Sequence, residues 1–442
     1  MTEATLYARV NEEVLQSLDP PTRRYWMVIA GLAAVFGLGV AAYTYQLFMG
    51  MGVAGIGHPV GWGVYIVNFV FWVGIAHSGT LISAVLYLFR VRWRTAIYRA
   101  AEAMTVFAVM TAGLFPLIHL GRVWVMLWMI PIPNARHLWP NFKSPLMWDV
   151  VAVSTYFTVS SLFFYLGLIP DIAAVRDRST GIRRTVYGIL SLGWQNRYEQ
   201  WRHYARAYVA FACLATPLVI SVHSVVSWDF AMSVLPGWHT TIFPPYFVAG
   251  AIHSGLAMVI TLLIPIRKWL RLERLVTLKH FEGMAQMLVF MGLIMTYSYG
   301  TEAFAAWYSG NKFEHQFSAW RAFGPLGPLF WGMVFCNCVV PMVFFFKRAR
   351  TNLTVLMVGS LLVNVGMYLE RFVLIITSTA HDFLPTAWGS YAPTIVELTI
   401  TVAAFAWFFM LFLLFAKHLP AVAIMEMKEQ ALGATHGGNG HG

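Results

Sequence analysis

The segment from Pro133 to Asp149, PNARHLWPNFKSPLMWD, concentrates residue types that could perform proton chemistry beside a membrane. It contains His137 among prolines and tryptophans, and it enters a long apolar run with Asp149 at the start. A histidine exchanges protons near neutral pH, and a carboxylate can serve as a second proton acceptor. We therefore predict His137 and Asp149 as a catalytic pair. The alternatives are a loop histidine bonded to the backbone and a carboxylate that caps a helix.

The side chains around this pair have the properties of a binding slot for a flat ring with polar edges. We predict six ring-binding residues, which are two tryptophans, two basic residues and a polar pair: Tyr65, Asn68, Arg136, Trp139, Lys143 and Trp148. The tryptophans could instead belong to an interfacial aromatic belt, and for Trp124 and Trp128 we favour that belt. A solvated loop face is the alternative for the basic residues, and hydrogen bonding between helices is the alternative for the polar pair.

Ionisable side chains also lie within the predicted membrane segments, where they are costly and are therefore candidates for function. Seven of them form the predicted proton path: His77, Glu102, Asp171, His223, Asp229, His253 and Glu282. A route from Asp171 or Glu102 through His77 toward Asp149 would carry protons through the first half of the chain. Neutral, hydrogen-bonded packing groups are the alternative.

The composition places these residues in a polytopic membrane protein. The chain has 442 residues, of which 59% are hydrophobic and 11% are charged, whereas a soluble protein carries roughly 25% charged residues. We predict an all-α fold with about ten transmembrane helices. The three cysteines lie in apolar runs, so we predict neither a disulfide framework nor a metal site.

Apolar runs long enough to span a membrane occur at 25–48, 61–89, 99–120, 147–169, 206–228, 243–267, 281–305, 323–346, 353–378 and 394–416. We divide the chain into a cytoplasmic amphipathic segment (1–24), a flanking span (25–60), two four-helix bundles (61–228 and 243–378), a second flanking span (394–416) and a cytoplasmic tail (417–442). An apolar stripe from Leu6 to Leu18 predicts a short helix lying on the membrane surface.

Basic residues are distributed unequally between the two sides of these spans. Of the 30 lysines and arginines, 24 belong to the N-terminal segment, the even-numbered loops and the tail, five belong to the odd-numbered loops, and Arg371 lies within a span. The positive-inside rule then places both termini in the cytoplasm and the 133–149 segment on the outer face. We expect a multi-pass protein of a bacterial cytoplasmic (inner) membrane. The net charge of +11 reflects this topology, so we expect no nucleic-acid partner.

Three short sequences recur in the same order at a nearly constant offset. GIAHSG at 74–79 matches GAIHSG at 250–255, AEAM at 101–104 matches FEGM at 281–284, and SPLMW at 144–148 matches GPLFW at 327–331. Such a duplication predicts two parallel bundles related by an axis near the membrane normal. Asp149 follows the first copy of the third sequence, but Gly332 follows the second. We therefore assign the outer chemistry mainly to the first bundle.

The run GWGVYIVNFVFWVGIAHSG, the tetrapeptide HLGR and the 133–149 segment together resemble the NrfD / polysulfide-reductase membrane-anchor family. The resemblance covers roughly residues 58–378. Within that family, the chain is most similar to the NrfD-like quinol-oxidising membrane subunit (ActC-type) of alternative complex III.

The resemblance implies a subunit that has no haem or metal of its own and is active only within a quinol:electron-acceptor oxidoreductase complex. It would bind a quinone, menaquinol or ubiquinol, near the outer face. The implied partners are a periplasmic iron–sulfur subunit, a second NrfD-like membrane subunit, multihaem cytochrome c subunits and lipids. Iron–sulfur clusters and haem c would therefore lie in the partners. Proton conduction through the bundles is a further implied role.

Two other functions are compatible with the same sequence features. His77 and His253 occupy matching repeat positions, so they could ligate haem b between helices in a haem-containing membrane anchor. Parallel repeats with buried ionisable residues are also found in proton-coupled transporters.

Overall fold

The computed structural model describes residues 3–428, except 131, 134, 136, 138 and 140. The predicted ring-binding residue Arg136 and the end of the predicted tail, 429–442, therefore lie outside the described residues. Within the described residues, every regular element is helical and no strand occurs, which confirms the predicted all-α class.

The main helices follow one another with short connections. In chain order they are α1 Glu3–Gln16, α2 Arg23–Met49, α3 Val64–Leu88, α4 Tyr98–His119, α5 Pro145–Arg178, α6 Gly181–Leu190, α7 Tyr198–Ala231, α8 Phe243–Trp269, α9 Leu278–Tyr308, α10 Lys312–Phe323, α11 Gly327–Phe345, α12 Leu353–Ala380 and α13 Ile395–His418. Two of them contain an internal π-helical turn, at Leu81–Val85 in α3 and at Phe335–Val339 in α11.

Nine helices of the described chain are long and apolar enough to cross a membrane: α2, α3, α4, α5, α7, α8, α11, α12 and α13. The polytopic class is therefore confirmed. Helix α9 has 31 residues and contains the predicted span 281–305, but it is not one of the nine. Polar residues such as Gln286 and Thr296 dilute its apolar run.

Helices α3 and α8 form the centre of the molecule and contact each other at the two copies of the HSG sequence. Nearly all side chains of α3 are buried. A Cβ atom on Gly255 would collide with Ser78, and one on Gly74 would lie 3.6 Å from Ser254 Oγ. Small residues at these positions therefore allow the two repeats to pack closely. The buried apolar side chains form one contiguous core across both predicted bundles.

Both ends of the described chain lie at the same end of the helix assembly, which we call the terminal face. Lys417 Nζ, in α13, donates a 2.9 Å hydrogen bond to the Ser17 carbonyl oxygen, just after α1. Val14 and Leu18 are buried, so the second half of the apolar stripe of the N-terminal segment packs on the protein.

The other end of the assembly, which we call the opposite face, carries the alternate connections. Gly55 N–H donates to Glu397, and Gly237 N–H donates to Glu314, so segments distant in sequence meet there. This face comprises residues 50–63, the described residues of 120–144, and residues 232–242, 309–326 and 381–394.

Candidate functional site

Two carboxyl groups meet at the opposite face, where α5 begins and α7 ends. Asp149 lies near the start of α5 and is buried, and Asp229 lies in the last turn of α7 and is half-buried. Their carboxyl groups are close enough to share a hydrogen bond. Because a carboxylate only accepts hydrogen bonds, this bond requires a proton held between the two groups. Each group also has a buried Oδ1 atom without a hydrogen-bond partner among the described residues.

A tryptophan precedes each aspartate, and the two tryptophans also meet. The Trp148 and Trp228 rings pack edge to face with their centroids 5.7 Å apart. Trp148 Nε1 donates a 2.7 Å hydrogen bond to the Phe142 carbonyl oxygen, which ties the preceding loop to α5. We call Trp148, Asp149, Trp228 and Asp229 the doorway site.

The doorway site includes Trp148 and Asp149 from the predicted set but not the other loop residues. His137, Trp139 and Lys143 are exposed. Among the described residues, no hydrogen bond or ion pair joins His137 to Asp149. The residue whose carboxyl group adjoins that of Asp149 is Asp229, which we predicted as part of the proton path.

The predicted polar pair of α3 bonds to other helices. Tyr65 OH donates a 2.5 Å hydrogen bond to Gln46 Oε1 in α2. Asn68 Nδ2 donates to Thr401 Oγ1 in α13 at 2.8 Å, and Tyr368 OH in α12 donates to Asn68 Oδ1 at 3.2 Å. Both side chains are fully buried. Their role in the structure is interhelical hydrogen bonding, and none of these bonds leads to the doorway site.

His77 and His223, two residues of the predicted proton path, meet inside the first bundle. Their ring centroids are 4.6 Å apart, and His77 also stacks on Tyr156 at 5.1 Å. His77 Nδ1 lies 2.6 Å from the Val73 carbonyl oxygen, so Nδ1 carries the proton and Nε2 remains an acceptor. Within the described structure, His77 Nε2 and both His223 nitrogens are buried without a partner. His223 and Asp229 are six residues apart on α7, about 9 Å along the axis.

Glu102 and Asp171, the predicted entry of the path, are joined by Arg99. Arg99 Nη1 lies 2.9 Å from Glu102 Oε2, and Arg99 Nη2 lies 3.3 Å from Asp171 Oδ2. All three side chains are buried, and Tyr208 OH donates a 3.4 Å bond to Glu102 Oε1. Arg99 was not among the residues predicted from the sequence, although its i,i+3 spacing from Glu102 on one helix could have indicated the pair.

A cavity of 560 Å³ adjoins this cluster at the terminal face. The chain after α13 passes beside it, where Ile424 N–H donates a 3.2 Å bond to Asp171 and Glu426 pairs with Arg94 at 2.9 Å. Burial is the largest single influence and would lower the pKa of Arg94, but Glu426 together with Tyr208 and Tyr98 raises the pKa above its ordinary value, so the guanidinium stays charged. Aromatic side chains form much of the remaining wall: Tyr87, Tyr98, Trp201, Tyr204 and Tyr208.

The two remaining path residues lie apart from these clusters. Glu282 pairs with Arg350 at 2.9 Å. His253 is fully buried within the HSG contact, and neither of its ring nitrogens has a hydrogen-bond partner in the described part of the chain. That part also contains no group of three or more histidine, cysteine, aspartate or glutamate side chains arranged to hold a metal ion.

The second bundle contains a further polar cluster. Glu370 accepts hydrogen bonds from Tyr299 and Arg371, and Asn337 Nδ2 donates to Tyr299 OH at 2.9 Å. The Arg371 guanidinium carbon lies 4.8 Å from the centroid of the Phe247 ring. Tyr299 and Asn337 were not singled out from the sequence, because uncharged polar residues are common between membrane helices.

Comparisons with known proteins identify one family and three similar proteins. The family model described as polysulphide reductase, NrfD, matches residues 52–381. A putative dimethyl sulfoxide reductase membrane subunit of Halobacterium salinarum is 26% identical, covering 94% of this chain and 95% of that protein. The Hdr-like menaquinol oxidoreductase integral membrane subunit of Archaeoglobus fulgidus is 22% identical, over 94% and 99%. A selenate reductase subunit of Mesobacillus selenatarsenatis is 23% identical, over 93% and 96%.

Proposed function

Since the chain belongs to the polysulphide reductase NrfD family of oxidoreductase membrane subunits, we propose that it binds and oxidises a quinol at the doorway site. The observation that carries the proposal is the adjacent pair Asp149 and Asp229, each with a buried Oδ1 atom that has no hydrogen-bond partner among the described residues, beside the Trp148 and Trp228 rings. A quinol needs an apolar slot for its ring and acceptors for its hydroxyl protons. At the doorway site, the two aspartates would supply the acceptors and the Trp148 and Trp228 rings would supply apolar contacts.

The names of the similar proteins support a quinone as substrate and a multi-subunit setting. One is a menaquinol oxidoreductase subunit, and the other two are subunits of reductases. For this chain, the quinone would be menaquinol or ubiquinol. It would act as a subunit and would depend on its partners for electron transfer.

The chemistry follows from the number of protons that the doorway site can hold. Oxidation of a quinol to a quinone releases two protons and two electrons. One hydroxyl group donates a hydrogen bond to a free Oδ1 atom, and its proton moves to Asp149 or Asp229 as the first electron leaves. The pair then holds two protons and is neutral. After the pair has released a proton to water at the opposite face, it accepts the second hydroxyl proton as the second electron leaves, and both electrons pass to an iron–sulfur partner.

The side of the membrane that receives the electrons depends on the orientation of the chain in the membrane. The excess of basic residues near the terminal face supports a cytoplasmic location for both termini and an outer location for the doorway site, in a bacterial inner membrane. The electrons would then pass to a periplasmic iron–sulfur subunit. The finer assignment that we propose is the quinol-oxidising subunit of alternative complex III, with a second NrfD-like membrane subunit and multihaem cytochrome c subunits as further partners.

The buried clusters support a proton route through the first bundle as a second part of the proposal. The Glu102–Arg99–Asp171 cluster lies at the terminal face beside the cavity. His77 and His223 follow deeper in the bundle, and His223 shares α7 with Asp229. Water molecules would bridge the distances between these side chains. Neither ring nitrogen of His223 has a partner among the described residues, so one can donate a hydrogen bond to water and the other can accept one.

The proposal is tested by quinol turnover of the whole complex with Asp149→Asn and, separately, Asp229→Asn. Loss of a general base lowers turnover by about 100-fold or more, and we expect that loss for each variant. Asp177→Asn is the matched control, because Asp177 is an exposed residue at the other end of α5. Unchanged turnover in an assembled complex carrying Asp149→Asn would refute the role of the pair.

A further inference from the structure

The short helix α6, between α5 and α7, exposes large apolar side chains. Ile182 is 85% exposed, Val186 is 47% exposed and Ile189 is 71% exposed. These residues follow the i, i+4, i+7 spacing, so they lie on one side of the helix. Leu192, in the turn after α6, is also 67% exposed. A face of this kind is unfavourable in water and requires an apolar surface to cover it.

Hydrogen bonds hold α6 against the end of α13 and against α5 near the end of its apolar run. Tyr187, the buried residue of α6, donates through its OH to the His418 carbonyl oxygen at 2.7 Å. Tyr165 OH, in α5, donates to the Leu190 carbonyl oxygen at 2.7 Å. His418 is the last residue of α13, where that apolar helix ends. Helix α6 therefore lies at the level of the membrane–water boundary on the terminal face.

Several basic residues lie near α6 along the chain. From 178 to 198 the chain contains four arginines and no aspartate or glutamate. Arg184 lies about 200° around the helix from Ile182, at about 100° per residue. Arg178 and Arg183 line a 200 Å³ cavity together with Ser179, Thr180 and Asp19. An apolar face with flanking arginines is complementary to a leaflet that contains anionic headgroups.

We propose that α6 is an interfacial anchor that binds anionic phospholipid. Ile182, Val186 and Ile189 insert between acyl chains at the terminal face. Arg178, Arg183 and Arg184 contact the phosphate groups. The proposal is independent of the quinol site, because the two lie on opposite faces of the helix assembly. Its occupant is the lipid leaflet, and a partner subunit on the same face is an outcome of the test.

The position of α6 is tested with a spin label at residue 189 or 184 in the full chain reconstituted into lipid nanodiscs. The native cysteines Cys213, Cys336 and Cys338 are first replaced by alanine. We expect the label at 189 to be accessible to oxygen and protected from a water-soluble nickel reagent. We expect the label at 184 to be more accessible to the nickel reagent and less accessible to oxygen than the label at 189. Equal nickel accessibility at both positions would overturn the proposal. So would protection at 189 that occurs only when the partner subunits are present.

The preference of α6 for anionic phospholipid is tested with the double variant Arg183→Gln/Arg184→Gln. Binding of phosphatidylglycerol and phosphatidylcholine to the purified full chain is compared by native mass spectrometry. We expect phosphatidylglycerol binding to weaken about tenfold or more, and phosphatidylcholine binding to stay unchanged. Arg271→Gln/Arg274→Gln, exposed residues at the same face, is the matched control. If the two double variants bind phosphatidylglycerol equally well, α6 is not an anionic-lipid site.

Discussion

At the scale of single residues, the contact between Asp149 and Asp229 determines the acid–base capacity of the doorway site. Two carboxyl groups in contact retain one proton and can accept one more. This range of charge, from −1 to 0, suits a site that receives the protons of a quinol one at a time.

A second residue-scale feature makes the stability of the protein depend on pH. His381, just after α12, is buried between Trp388 and Trp320, with centroids 4.0 and 4.8 Å from its ring. Burial lowers the pKa of His381 below its ordinary value of 6.5, so the folded protein favours the neutral ring. The unfolded chain binds this proton more readily. The stabilisation is therefore complete above about pH 6.5 and is lost as the pH falls below it.

We predict that His381→Gln reduces this pH dependence. The thermal unfolding temperature of the wild-type protein in detergent should fall more between about pH 7.5 and about pH 5.5 than that of the variant, because glutamine does not titrate in this range. His203→Gln, at an exposed position of the terminal face, should retain the wild-type dependence. Identical curves for the wild-type protein and His381→Gln would contradict the prediction.

At the scale of the helices, the contact between the two repeats in α3 and α8 depends on glycine residues. We predict that Gly255→Ala lowers the stability of the protein by about 1–3 kcal/mol, because the added methyl group collides with Ser78 and with the Ile75 carbonyl oxygen. Unfolding in detergent measures the loss. Gly37→Ala in α2 is the control, since an added Cβ atom there meets nothing within 4 Å. Equal stability of the two variants would show that the repeats do not pack as described.

The helices could be predicted from the sequence because a membrane span requires a long apolar run. The ends could not, since α5 extends to Arg178 and α7 begins at Tyr198, both outside the apolar runs at 147–169 and 206–228. Backbone hydrogen bonding continues a helix into water, where hydropathy gives no signal. The repeat predicted two related bundles, but it did not reveal that the HSG sequences contact each other.

The residues of the site could be predicted only in part, because the sequence does not show which distant residues come into contact. The boundary position of Asp149 identified it as a candidate, whereas its contact with Asp229 joins residues far apart in sequence. The Trp-Asp dipeptide that ends α7 and the one that begins α5 were a usable signal for that contact. Tyr65 and Asn68 lie three residues apart on α3, but periodicity does not reveal which neighbouring helices they meet.

At the scale of the whole molecule, the chain after α13 closes the terminal face over a buried charge cluster. We predict that Glu426→Gln destabilises the protein by about 1–3 kcal/mol, because it leaves the buried Arg94 guanidinium without its carboxylate. Thermal unfolding in detergent provides the measurement. Glu199→Gln, an exposed residue of α7, should have little effect. Equal stability of both variants would show that the Arg94 pair does not hold this segment.

The molecule offers a quinone two different places, and the proposed function depends on which one it occupies. The doorway site lies at the opposite face, and the 560 Å³ cavity with its aromatic wall lies at the terminal face. The most direct test is photolabelling of the intact complex with an azidoquinone, followed by mass spectrometry of the labelled peptides. If the doorway site binds the quinol, labels occur in peptides containing residues 142–152 and 225–232, and they are lost when excess quinol is present. Labels confined to peptides that line the terminal-face cavity, such as 87–99 and 201–208, would contradict the proposed function.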